Sequence, residues 1–144
     1  MSNPLDEHPT PADQAQAEAI KLYRLAAEQG VAGAQSRLGV MYAEGRGVVQ
    51  NDRESVRWFR LAAEQGDAEA QAGVGLAYGT GRGVLQDFVA SHMWLTLAAA
   101  QLTGLTRNGA LKLRGTIVAA MTHDQITEAQ RLATEWETKH PREP

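Results

Sequence analysis

The sequence contains no cysteine. A disulfide framework and a zinc site with thiolate ligands are therefore excluded. No apolar run approaches the roughly 20 residues that are needed to cross a bilayer, so we expect no membrane insertion. The N-terminal stretch is polar and lacks the apolar segment of a signal peptide, which favours a cytoplasmic location.

An excess of positive charge is also missing. The chain has 14 Lys and Arg against 17 Asp and Glu, which gives a formal net charge of -3. No broad basic surface is available, so we expect no nucleic-acid partner. A chain of 144 residues is nevertheless long enough to form one domain with a hydrophobic core of its own.

The sequence does contain an internal repeat. The segment Leu25-Ala26-Ala27-Glu28-Gln29-Gly30 returns unchanged as Leu61-Ala62-Ala63-Glu64-Gln65-Gly66, 36 positions later. The same offset relates further positions: Gly45-Arg46-Gly47-Val48 and Gly81-Arg82-Gly83-Val84, Tyr42 and Tyr78, and Trp58 and Trp94. A period in the thirties is typical of a helical-repeat solenoid.

Apolar residues recur at helical spacing through most of the chain. We predict an all-α solenoid of about seven antiparallel helices, which ends in a C-terminal pair of capping helices. The predicted helices cover residues 13–29, 32–44, 52–65, 68–78, 88–101, 106–121 and 123–139. Asp13, Asn51 or Asp52, and Thr122 with Gln125 are the expected N-terminal capping residues.

The period also predicts how the chain is divided. We expect a half repeat at residues 13–30 and two full repeats at about 31–66 and 67–101. The period breaks after Gln101, so we assign residues 102–139 to terminal capping helices. All prolines lie in the first eleven and last four residues, and we expect disordered tails at 1–12 and 140–144.

Small residues inside the helices predict close packing. Glycine within a helix is less stable than alanine by about 1 kcal/mol, so Gly39 and its repeat Gly75 need a structural reason. We expect a neighbouring helix to approach too closely for a side chain at these positions. Recurrence of the aromatic residues favours core packing over a binding role for Trp58 and Trp94.

The repeated residues resemble a Sel-one-like repeat (SLR), a branch of the tetratricopeptide-type solenoids. The resemblance covers residues 19–101 and rests on these positions: Ala34-Gln35, Leu38-Gly39, Tyr42, Gly45-Arg46-Gly47-Val48, Trp58 and Ala62-Ala63-Glu64-Gln65-Gly66. Val74 departs from the family's leucine, and Ser55 and Ser91 depart from its alanine. The resemblance implies a right-handed superhelix and an adaptor role in bacterial signalling, envelope or host-interaction complexes, without a reaction.

Motifs for catalysis or cofactor binding are not found. His8, His92, His123 and His140 do not have metal-ligand spacing. The stretch Gly79-Thr80-Gly81-Arg82-Gly83 lacks the lysine and hydroxyl residue of a phosphate loop, and its first-repeat counterpart favours a structural turn. We therefore predict no catalytic residue, no cofactor and no metal.

A partner surface is predicted from the helix positions that the core does not use. These positions recur at steps of three and four residues, so each set shares one helix face. In tetratricopeptide-type solenoids the equivalent positions line the concave groove. The predicted contact residues are Gly33, Ser36, Val40, Ala43 and Glu44 in the first repeat, and Glu69, Ala72, Leu76, Gly79 and Thr80 in the second.

The size of this surface limits its affinity. A helix of about 13 residues is roughly 20 Å long and spans about six residues of extended peptide. Such a contact is smaller than the roughly 800 Å² per partner of a standard interface, so we expect a weak peptide site or a shared one. An ordinary solvated surface is the alternative for these positions.

Two other functions stay open from the sequence. One is a small hydrolase or wall-fragment-binding protein of the same repeat family, although the family members linked to such ligands are typically cysteine-rich. The other is a structural subunit that self-associates weakly through its small-residue faces.

Overall fold

Residues 9–142 are described by a computed structural model, and every regular element in this range is an α-helix. The helices are α1 (Pro11–Glu28), α2 (Ala32–Glu44), α3 (Asp52–Glu64), α4 (Ala68–Thr80), α5 (Phe88–Gln101), α6 (Gly104–Val118) and α7 (His123–Lys139). The prediction of an all-α solenoid with seven helices is confirmed. The parts of the predicted tails at residues 1–8 and 143–144 lie outside the described residues.

Helix α1 begins earlier than predicted. Thr10 is the N-cap, and its hydroxyl accepts a hydrogen bond from the Asp13 amide at 3.1 Å. The Asp13 carboxylate in turn accepts from the Thr10 amide at 3.0 Å, which completes a capping box. Asp13 is therefore the third helical residue, and its assignment as the cap was wrong. Pro11 fits the first position because an N–H there would have no partner within the helix.

Helix α6 is shifted relative to its predicted range of 106–121. It begins at Gly104, which has a φ of 58° and comes directly after Thr103, the N-cap residue with an extended backbone. It ends at Val118, because the amides of Ala120 and Met121 bond to carbonyls only three residues back and tighten the chain into a turn. The capping box of Thr122 and Gln125 then starts α7 as predicted.

The helices form a solenoid in which each one from α1 to α5 packs against the next. Helix α4 also contacts α2 on one side and α6 on the other. Each unit of the solenoid is a helix pair, α2 with α3 or α4 with α5, and α6 follows as the next first helix. The first helices of successive units therefore lie side by side. We call the surface that α2, α4 and α6 share the first-helix face. Within the described residues, no helix is long and apolar enough to span a bilayer.

The internal glycines mark close helix contacts, as predicted. A Cβ atom placed on Gly39 would lie 2.5 Å from the ring of Phe59. On Gly75 it would lie 2.7 Å from the side chain of Leu95, one repeat later. The absence of a side chain therefore lets α3 pack directly on α2, and α5 on α4.

The two serines that depart from the family pattern use the same close contact. Ser55 donates a hydrogen bond to the carbonyl of Gly39 at 2.7 Å, and Ser91 donates to the carbonyl of Gly75 at 2.6 Å. Both hydroxyls are buried. Each polar substitution is thus satisfied within the helix pair, as a buried hydroxyl requires.

Helix α7 does not repeat the position of α5. At the offset of 36 residues, buried Leu95 and Ala98 correspond to Arg131 and Thr134, which are exposed. A helix with these side chains cannot bury the face that α5 buries. Instead, α7 buries Ala129 and Ala133 and packs against α5 itself.

This packing covers a leucine that is uncovered in the other units. Leu25 and Leu61 occupy equivalent positions and are 61% and 44% exposed. The third equivalent, Leu97, is 1% exposed and clusters with Ala133, while Trp136 packs against the same cluster. The C-terminal helix therefore covers the side of α5 whose equivalent is exposed on α1 and α3.

Candidate interaction surface

Two apolar grooves open on the first-helix face. Groove 1 lies between α2, α3 and α4 and has a volume of about 280 Å³. Val56 and Phe59 from α3 and Val40 from α2 supply apolar surface, and Leu76 on α4 forms part of the opposite wall. Leu76 is 49% exposed, so the groove presents apolar surface to solvent.

Groove 2 lies on the other side of α4, between α4, α5 and α6. Its volume is about 380 Å³. Leu95, Leu102 and Leu113 line it with almost entirely apolar surface. Glu69 and Leu76 line both grooves, so α4 forms a ridge between two adjacent apolar depressions.

Most of the predicted contact residues lie in these grooves. Residues in groove 1 are Val40, Ala43, Glu44, Glu69, Leu76 and Thr80. Ala72 lines groove 2 together with Glu69 and Leu76. Whether a partner contacts them stays a prediction.

Three predicted contact residues line neither groove. Gly79 is half-buried on α4, where a Cβ atom would lie 2.9 Å from the Ser91 hydroxyl and from the Ile117 side chain. Ser36 is buried, with 4% of its surface exposed, because α1, α3 and α4 surround α2 on several sides. Its prediction as a contact residue was wrong. Gly33 is exposed but lines neither groove, and a Cβ atom there would meet nothing within 4 Å.

Sequence reasoning missed the contribution of α6 to groove 2. The signal was present, because Gly73 and Gly79 recur as Gly109 and Gly115 at the same offset of 36 residues. Gly109 lines groove 2, as Gly73 lines groove 1. Residues 104–118 therefore act as the first helix of a further unit rather than only as a cap.

The grooves carry an excess of negative charge. Their charged lining residues are Glu44, Asp52, Glu69 and Arg82, which are three carboxylates against one guanidinium. Arg82 pairs with Asp52 at 3.2 Å, and Glu44 pairs with Arg46 at 2.6 Å. Glu69 has no ion-pair partner within residues 9–142 and is exposed on the shared ridge.

In the glycine-rich stretch at residues 79–83, Gly79 and Thr80 are the last residues of α4. The other three residues form the turn that leads toward α5. Gly81 and Gly83 both have positive φ, which is consistent with the predicted structural turn. Within the described part of the chain, no three histidine, aspartate or glutamate side chains converge on a possible metal site.

Helix α5 contains a buried histidine, His92. His92 is 4% exposed and occupies the position that Val56 holds one repeat earlier. Its Nδ1 lies 3.5 Å from the hydroxyl of Thr96, which accepts a hydrogen bond from Arg114 at 3.0 Å. Burial, and secondly the nearby Arg114 cation, lower the pKa of His92 below its ordinary value of 6.5.

Acidification is therefore expected to destabilise the fold through His92. Because its pKa is lower in the folded state, the unfolded chain binds more protons as the pH falls through 6.5. We expect the free energy of unfolding to decrease by up to about 1.4 kcal/mol per pH unit below that point. His92→Val should remove this slope in urea titrations between about pH 7 and 5. The control is His123→Gln at an exposed histidine, which should keep the pH dependence of the wild type. If the stability of His92→Val depended on pH as steeply as that of the wild type, His92 would not be its cause.

The fold defines a class, the helical-repeat solenoids, and in this chain the first-helix face is grooved. Comparison with known families assigns the chain within this class. A model of the Sel1 repeat matches residues 8–31, 32–67 and 68–101. The chain belongs to the Sel1 repeat family. None of the curated proteins compared with it matches.

Solved structures share the fold. A protective antigen present in uropathogenic Escherichia coli strains, which displays an SLR fold, superposes with a TM-score of 0.78 at 29% identity. The match covers 86% of this chain and 26% of that protein. A Sel1 repeat protein from Oxalobacter formigenes gives a TM-score of 0.58 at 26% identity, over 87% of this chain and 54% of that protein. The chain thus spans about a quarter to a half of these relatives.

Proposed function

We propose that this chain is a non-catalytic adaptor that binds a peptide segment of a partner protein across grooves 1 and 2. The observation that carries the proposal is the pair of adjacent apolar grooves that share Leu76 and Glu69. Burial of exposed apolar surface is the main favourable term in protein association. The half-exposed Leu76 lies where a bound segment would bury it.

Family membership supports a role in protein–protein interaction. Sel1 repeats commonly mediate protein–protein interaction, and SLR-fold proteins are generally non-catalytic interaction modules. A bacterial signalling complex and a cytoplasmic location fit this role, and both stay predictions. The small grooves favour a weak peptide contact, or one that another surface supplements.

A matched pair of leucine substitutions tests the proposal. Leu76→Glu places a charge on the ridge between the grooves, whereas Leu85→Glu places one on an exposed loop leucine outside both grooves. We expect Leu76→Glu to reduce recovery of crosslinked partner from a bacterial lysate by about tenfold or more, because a leucine-sized apolar contact is lost. Leu85→Glu should behave as wild type.

The midpoint of thermal unfolding of each variant shows whether a loss of partner recovery is caused by unfolding. Leu76 is 49% exposed, so we expect both variants to melt within a few degrees of the wild type. Val40 is less suitable for this purpose because it is partly buried against the core. Equal partner recovery by the two folded leucine variants would refute binding through the grooves.

A further inference from the structure

We propose that the bound segment is an extended peptide with two apolar side chains three positions apart and a lysine or arginine between them. This inference rests on the proposed function and names the partner chemistry that the grooves select. It follows from the spacing of the two grooves and from the charge around them.

The spacing follows from the single helix that separates the grooves. Neighbouring packed helices lie about 8–10 Å apart, which sets the approximate distance between grooves on either side of α4. In an extended polyproline-type peptide, residues three apart point the same way and are about 9 Å apart. Residues on one side of a β-strand are about 7 or 13 Å apart, so they match this distance less well.

A helical partner is the main competitor for this spacing. Two helix residues seven apart are about 10.5 Å apart on the same side. An α-helix with its side chains is about 10–12 Å wide, however, and Leu76 protrudes between the grooves. A single extended strand can cross this ridge and insert a side chain on each side, so we commit to the extended form.

The preferred charge follows from the lining residues. Groove 2 has Glu69 as its only charged lining residue, and groove 1 adds Glu44 and the Asp52–Arg82 pair. Glu69 stands at the edge that both grooves share and has no ion-pair partner among residues 9–142. A basic side chain between the two anchors would lie over α4 and complement this carboxylate.

Synthetic peptides test both features on the full chain. We would use fluorescein-labelled peptides of about ten residues with two leucines, one lysine and an otherwise serine- and proline-based sequence that favours the extended form. Leucine separations of two, three, four and seven, at constant composition, would be compared by fluorescence anisotropy. We expect the peptide with separation three to bind at least about fivefold more tightly than the other peptides. Replacement of either leucine in that peptide should weaken its binding about tenfold.

Charge reversal tests the role of Glu69. Lysine-to-glutamate exchange in the peptide should weaken binding about three- to tenfold, and Glu69→Lys should reverse that preference. Glu64→Lys is the matched control, because Glu64 is exposed on α3 and lines neither groove.

Several outcomes would overturn the inference. Binding that is independent of leucine separation, or tightest at any separation other than three, rejects the proposed two-anchor segment. An unchanged charge preference in Glu69→Lys rejects the basic residue, and no binding at about 1 mM rejects both. If lysate capture still depends on Leu76, only this inference fails, whereas capture that is independent of Leu76 overturns the proposed function as well.

Discussion

Gly83→Ala is expected to lower the free energy of unfolding by about 3 kcal/mol or more. Gly83 has a φ of +80°, where an alanine is strained by roughly 1–2 kcal/mol. A Cβ atom there would also lie 2.5 Å from the carbonyl oxygen of Asp52 and 3.1 Å from the amide nitrogen of Arg53. These are backbone atoms at the start of α3, so a side-chain rotation cannot relieve the clash.

A second glycine in the same turn separates the two effects. Gly81 has a φ of +73°, but its Cβ atom would lie 3.4 Å from the nearest atom, the Cβ of Gln86. Gly81→Ala should therefore show the conformational strain alone, about 1 kcal/mol. Urea denaturation of both variants measures the difference. Equal losses would mean that the turn and α3 are not in close contact.

The Gly83 contact connects neighbouring units of the solenoid. The turn that follows α4 touches the beginning of α3 there, and the Arg82–Asp52 ion pair lies beside it. In a solenoid each unit is stabilised chiefly by its neighbours. The requirement for glycine is therefore set by the packing between units as well as by the shape of the turn.

Trp58→Ala should have a similar or larger effect, about 3–5 kcal/mol. Trp58 is 4% exposed and packs in a buried cluster with Ile20, Leu38 and Met41 from α1 and α2. Removal of the indole leaves a cavity at the contact of three helices. For a chain of this size the midpoint of thermal unfolding should fall by about 6–20 °C.

Trp58→Phe is the informative control. The indole Nε1 of Trp58 is buried and has no hydrogen-bond partner among the described residues. Phenylalanine would therefore lose no hydrogen bond, and we expect a loss below about 1.5 kcal/mol. A loss under about 1 kcal/mol for Trp58→Ala would show instead that this residue is not part of the core.

Local chemistry made the helices and turns predictable from the sequence. The range of α2 and the caps at Asn51 and Thr122 depend on backbone conformation and on side chains within a few residues. The close contacts at Gly39 and Gly75 were also predictable, because a repeated helical glycine needs a packing reason. Sequence alone therefore determined the number of helices and the repeat to which they belong.

The groove walls were only partly predictable. Val40 and Leu76 follow from the pattern left over by the core, but Phe59 comes from the second helix of a pair and Leu113 from the segment assigned to the cap. Ser36 has the correct helical spacing for the surface and is nevertheless buried. Periodicity identifies the face of a helix, but it does not show how many neighbours surround that face.

The position of α7 also depended on tertiary structure. Its apolar stripe was evident in the sequence, yet the sequence did not show that the stripe would pack on α5 and bury Leu97. Composition and period determined an all-α repeat protein without thiol chemistry. Only the tertiary structure decided which apolar side chains stay exposed as grooves, because burial depends on residues that are distant in the chain.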